Sequence, residues 1–245
     1  MLNINSIRPA KISFNAITVI LALSIGAFYF LTLYPGHNWG GDFSQYIHHA
    51  KNIVEGRHYL DTAFIVSSSA GWTGPYFYPP IFPMLLSPVY LFNGLDLEAM
   101  KLVPIVSLCL ALMLLPKLFR NNTTNMQQLV IIILVGMNPV FWQYRNNILS
   151  EFSFMLFAFS SLYLMQLLFY RSADAANGLK RHIIPYSFLL GLLMYLAYGT
   201  REIGIVLPLC VLTYEIASSR KITLISIISV SVFLVLAYIQ HQLLD

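Results

Sequence analysis

The chain alternates long uncharged, apolar stretches with short segments in which its charges gather. Stretches near residues 13–34, 101–118, 126–143, 151–170, 183–200 and 222–241 are each close to the ~20 residues that carry a helix across a bilayer. A seventh, near 203–218, is shorter and contains Glu215; it spans if Glu202, Glu215 and Arg220 reach the interfaces. The stretch from Phe77 to Leu95 is uncharged too, but holds Pro79, Pro80, Pro83 and Pro88. Each proline removes a backbone donor that hydrocarbon cannot replace, so this stretch is expected to bend or re-enter rather than span. Residues 42–56 follow another rule. Phe43, Ile47, Ala50 and Val54 recur at i, i+4, i+7 and i+11, with Asp42, Gln45, His48, His49 and Asn52 on the other faces. That pattern predicts a short amphipathic helix lying in a membrane interface.

Composition agrees with the pattern. Hydrophobic residues are 58% of the 245 and charged residues 10%, against roughly 25% charged in a soluble domain. A disordered chain, a coiled coil and a water-soluble enzyme are excluded. The predicted fold class is an all-α polytopic membrane protein, one transmembrane module over 1–245. It has about seven transmembrane helices and interfacial helices in a large first external loop, 35–100. The net charge of +4 is no nucleic-acid footprint, because the Lys and Arg residues sit at the ends of apolar segments. Cys109 and Cys210 lie within apolar runs and give no disulfide framework.

Charge also chooses the topology. With Phe77–Leu95 outside the count of spans, Arg8, Lys11, Lys117, Arg120, Arg171, Lys180, Arg181, Arg220 and Lys221 share one side. Only Lys51, Arg57, Lys101, Arg145 and Arg201 lie opposite. The positive-inside rule then puts the N-terminus in the cytoplasm and the C-terminus outside, in a multi-pass protein of the inner (plasma) membrane. The first apolar segment has no small-residue cleavage site after it and reads as an uncleaved anchor. Eight of the ten acidic residues become external: Asp42, Glu55, Asp61, Asp96, Glu98, Glu151, Glu202 and Asp245. Asp174 and Glu215 remain on the cytoplasmic side, as do the sequons at Asn121 and Asn122, which carry no meaning there. Chemistry is therefore expected at the external face.

Asp42 begins the amphipathic helix and Glu151, after Ser150, begins the fourth long span. Both positions suit plain capping and dipole stabilisation. Two carboxylates at helix starts on one membrane face also suit a site. One would take a proton from an acceptor hydroxyl, and both would hold a divalent cation near a phosphate. Arg145 and Arg201 offer cations for that phosphate, although on the residues alone Arg201 beside Glu202 reads first as a local ion pair at a helix corner. His48 and His49 point about 100° apart on a helix and read as interface histidines exposed to headgroups. Trp72, Tyr76, Phe77 and Tyr78 fit an interfacial belt or a groove for a sugar or lipid. No Walker loop, HExxH, Gly-x-Ser-x-Gly or Rossmann fingerprint occurs.

The ordered set of segments resembles the polyprenyl-phosphate-sugar-dependent glycosyltransferases of the GT-C fold, among them protein O-mannosyltransferases and the lipid A aminoarabinose transferase. The resemblance rests on Gly41-Asp42-Phe43-Ser44-Gln45-Tyr46 with Ala50 to Gly56, on Tyr78-Pro79-Pro80 leading to Asn93-Gly94, on Asn138-Pro139 followed by Leu149-Ser150-Glu151, and on Gly191 to Ala197 with Thr200-Arg201-Glu202. It covers about residues 15–220 and corresponds to the family's N-terminal module only. Family members commonly carry further spans and often a soluble external domain.

The resemblance implies that Asp42 and Glu151 are catalytic, with Glu151 near the donor phosphate or a metal, and that Arg201 contacts the phosphate. Arg145, Tyr46 and Tyr78 join Arg201 as expected substrate-binding residues, and Asp42 and Glu151 hold a divalent cation if one takes part. It implies a polyprenyl-phosphate-linked sugar and membrane lipid as partners, with no nucleic acid. The leading expectation is thus a membrane glycosyltransferase. A non-catalytic subunit binding carrier lipid or a partner transferase is the second reading. A transporter or flippase is the third, disfavoured because charges gather at helix ends rather than mid-membrane. The geometric expectation is that Asp42 and Glu151 face one cavity with Arg201 at its rim.

Overall fold

The computed structural model describes residues 13–37, 41–62, 77–173 and 183–244, which are helical without strands. The helices are α1 (Phe14–Leu31), α2 (Phe43–Glu55), α3 (Ile81–Asn93), α4 (Leu97–Phe119), α5 (Asn125–Gly136), α6 (Pro139–Tyr144), α7 (Glu151–Ala173), α8 (Ile183–Tyr198), α9 (Val206–Ser219) and α10 (Leu224–Leu244). A 3₁₀ turn, Glu202–Ile205, precedes α9. Local chemistry sets many of the starts. Ser13 caps α1, Asp96 accepts from the amides of Glu98 and Ala99 to start α4, and Thr124 with Gln127 forms a capping box on α5. Gly56, at φ 65°, ends α2 in the left-handed conformation that favours glycine.

Among the described residues four helices, α1, α4, α7 and α10, are long and apolar enough to cross a membrane. The other expected spans are shorter. The stretch 126–143 divides at Asn138-Pro139, where Asn138 caps α6 and the proline takes its first position. That leaves α5 with 12 residues, about 18 Å of helix against a hydrocarbon core of ~30 Å. Helix α8 has 16 residues and α9 has 14. The proline-rich stretch forms α3, with Pro88 inside it.

Helix α4 packs on α1, α5 and α7, α7 on α8, and α8 on α10, with α9 against α7 and α10. One core joins Leu168, Leu190, Met194 and Phe233, and a second joins Ala22, Tyr29, Leu108 and Ile132. In lipid such contacts hold helices by close packing, which favours small residues at crossings. Gly191 shows this: a Cβ there would stand 2.4 Å from the Ser229 carbonyl oxygen of α10. The outer surface exposes Ile20, Leu23, Leu134, Leu234 and Val235. This is the architecture of a membrane protein.

A third core holds α2 and α3 over the N-terminal end of α4, through Phe43, Ile47, Ala50, Phe82, Leu86 and Met100. Three of the four expected stripe positions are buried here, and Val54 is half-buried. The polar face is buried too: Gln45, His49 and Asn52 are all inside. Glu215 departs from expectation as well. It lies buried in the bundle, where its carboxylate accepts from the Thr223 amide and hydroxyl and from Ser226 at the start of α10.

Candidate functional site

The candidate site forms where the start of α2, the residues before α3, the start of α7 and the corner after α8 meet. Asp42 heads α2, yet its side chain makes no capping bond. The helix start is served by its backbone carbonyl, which accepts from Gln45 and Tyr46. The carboxylate instead takes a hydrogen bond from the Tyr78 hydroxyl. Burial and then that bond push the Tyr78 phenol above its ordinary range, so it stays a donor.

Glu151 opens α7 and meets Arg201 across the bundle, Oε1 to Nη1 at 2.6 Å. Its Oε2 is buried and has no hydrogen-bond partner. Arg201 Nη1 also donates to the Ser150 hydroxyl at 3.4 Å, and that hydroxyl lies 3.1 Å from the Tyr46 hydroxyl. Burial opposes the Arg201 charge, but the Glu151 carboxylate outweighs it and the guanidinium is held more firmly protonated. Burial also pushes the Tyr46 phenol up to about 12. The Tyr46 ring packs on Tyr78, centroids 4.7 Å apart, and edge-on to Phe82 at 4.9 Å.

Tyr78 is placed by a clasp. The Tyr78 amide donates to His49 Nε2 at 3.4 Å, so His49 Nδ1 carries the proton and donates to the Tyr59 carbonyl at 2.8 Å. The Tyr59 hydroxyl donates back to the Tyr78 carbonyl at 2.8 Å, and the His49 ring stacks on Tyr59. Burial lowers the His49 pKa to about 4, which keeps the imidazole neutral. Further along, the Ile81 amide at the start of α3 donates to the Gly199 carbonyl at 2.8 Å. An orphan helix donor thereby ties the proline segment to the Arg201 corner.

Between these parts lies a cavity of about 420 Å³, lined by Tyr46, Tyr78, Pro79, Thr200, Arg201, Glu202 and Ile203. Asp42 and Glu151 stand one contact behind its wall, on Tyr78 and Arg201 respectively. Such a cavity offers aromatic faces and a guanidinium to a ligand, with one carboxylate held by the Tyr78 hydroxyl and the other by Arg201 behind them. Among the described residues no three of His, Cys, Asp and Glu are grouped around a metal position.

Five of the six expected site residues therefore share one cluster: Asp42, Glu151, Arg201, Tyr46 and Tyr78. The sixth, Arg145, does not join it. Its guanidinium lies 3.8 Å from the Trp142 ring and donates to the Thr32 and Trp142 carbonyls, lining a different cavity. Arg201 pairs with Glu151 rather than with its neighbour Glu202. The histidines also differ from expectation, because His48 is exposed while His49 is fully buried in the clasp. Trp72 and Tyr76 lie outside the described residues. Sequence reasoning missed Tyr59 and Lys101. Lys101 is fully buried and donates to the Tyr34 and Gly36 carbonyls at 2.9 and 2.5 Å, holding the turn between α1 and α2. Nothing local marks Tyr59, but a lysine at the head of a long apolar run was a signal for Lys101. Comparisons with family models, curated proteins and solved structures return no match.

Proposed function

We propose that the protein is a membrane glycosyltransferase that moves a sugar from a polyprenyl-phosphate carrier to an acceptor at the external face. The observation that carries this reading is the convergence of Asp42, Glu151, Arg201, Tyr46 and Tyr78, from four separate segments, around one cavity at one end of the bundle. Capping explains each acid alone but gives no reason for them to meet. Asp42 takes the acceptor's proton, with Tyr78 holding the carboxylate in place. Arg201, oriented by Glu151, meets the departing phosphate. A divalent cation, if one takes part, would be held by Asp42 and Glu151 and would steady the departing phosphate.

The reading goes with seven crossings, α5 and α6 sharing one and the 3₁₀ turn with α9 another. It places the N-terminus in the cytoplasm and the cavity and C-terminus outside the plasma membrane. The charge asymmetry between loops supports that orientation. A second reading, a non-catalytic subunit that holds the same carrier lipid, is favoured by one observation: the Arg201 charge is already met by Glu151.

The test is direct. Full-length protein reconstituted in lipid is given labelled polyprenyl-phosphate sugars and membrane extracts as acceptor. Label leaving the carrier supports the enzyme. Carrier binding without transfer supports the subunit, and neither binding nor transfer removes both.

A further inference from the structure

The second cavity, of about 380 Å³, is lined by Tyr34, Trp142, Gln143, Tyr144, Arg145, Asn146 and Asn147. Arg145 is its unusual member. It is 7% exposed, and its two described hydrogen bonds go to neutral carbonyls, Thr32 and Trp142. Those bonds use two of the five N–H groups a guanidinium carries. Lys101, fully buried behind Tyr34, likewise donates to carbonyls only, and its charge repels that of Arg145. Among the described residues no carboxylate lies within 4.0 Å of either cation. Glu98 partly offsets the Lys101 charge, whereas Arg145 is met by the Trp142 ring and neutral carbonyls, so its buried guanidinium beside a second cation is costly and an anion seated there relieves it.

We infer that this cavity binds the phosphate of an anionic membrane lipid. Arg145 supplies the charge, and the amides of Gln143 and Asn147 at the wall supply neutral donors for the phosphate oxygens. The surroundings favour a lipid over free phosphate. Leu31 is 78% exposed, Val140 and Trp142 are exposed beside it, and Phe28 stacks on Trp142. That apolar surface continues from the cavity along α1, one of the helices long and apolar enough to cross a membrane, and suits the acyl chains of a bound lipid. The site is separate from the Asp42 cavity, so its failure leaves the proposed transfer reaction untouched.

The experiment uses full-length protein in phosphatidylcholine nanodiscs containing a minor share of phosphatidylglycerol, with retained lipid counted by native mass spectrometry. Phosphatidylglycerol retained above its share is the expected result. Gln143→Glu places a negative charge at the wall without touching the Arg145 hydrogen bonds, and lowers that enrichment about tenfold. Arg145→Gln abolishes it where the variant folds. No enrichment in the wild type, or full enrichment in Gln143→Glu, overturns the inference. Displacement of the lipid by millimolar inorganic phosphate reassigns the cavity to a free anion and overturns the lipid assignment.

Discussion

Arg201 Nη1 stands 2.6 Å from Glu151 Oε1, joining the corner after α8 to the first residue of α7. The two residues are separated by the whole of both helices in sequence, so the pair fixes how α7 and α8 end relative to each other. It also orients the guanidinium toward the cavity that Arg201 lines.

Glu151→Gln removes the charge and keeps the shape. Both partners are about a third exposed, so the loss of stability is modest, about 1 kcal/mol or less. Transfer falls by about tenfold or more, because Arg201 loses the group that orients it. Thermal unfolding in detergent and the transfer assay check the two effects separately. A large stability loss with unchanged transfer contradicts the assigned role.

His49 makes the site sensitive to acid. Its pKa is about 4 in the folded protein and near 6.5 when exposed, so the unfolded clasp binds more protons between those values. The clasp's stability is therefore complete above pH 6.5 and is lost as pH falls toward 4. Amide exchange at Tyr78, corrected for its intrinsic pH dependence, is expected to rise across that window. His49→Gln is expected to remove the step.

Much of this was readable before the structure. The period of Phe43, Ile47 and Ala50 marks α2 because burial of one face at 3.6 residues per turn leaves that trace. Asp42, Glu151 and Arg201 were visible as charges beside apolar runs. What could not be read was long-range pairing. Arg145 and Arg201 look alike in sequence, and only the fold puts one on Trp142 and the other on Glu151. The burial of His49 depends on Tyr59 folding over it, which no spacing announces. The division of 126–143 at Asn138-Pro139 was not read from the sequence, because the continuous hydrophobicity of the stretch outweighed the signal of its proline.

Lys101 supports the turn that delivers α2. Lys101→Met strips donors from the Tyr34 and Gly36 carbonyls, at a cost of about 2 kcal/mol or more. A lower unfolding temperature is the expected outcome. A variant as stable as the wild type contradicts this role.

The crossing of α8 and α10 depends on Gly191. Alanine there brings a Cβ within 2.4 Å of the Ser229 carbonyl, so the helices must part, at about 1–3 kcal/mol. Disulfide cross-linking between cysteines engineered along α8 and α10 is expected to slow in Gly191→Ala.

The central claim is that Asp42 acts on the acceptor. The most direct measurement compares sugar transfer from a labelled polyprenyl-phosphate donor by wild-type protein and Asp42→Asn in the same lipid. The amide still accepts from the Tyr78 hydroxyl, so the fold and carrier binding are expected to persist. Transfer is expected to fall by about 10²-fold or more, the scale of a lost general base. Full transfer by Asp42→Asn contradicts the account.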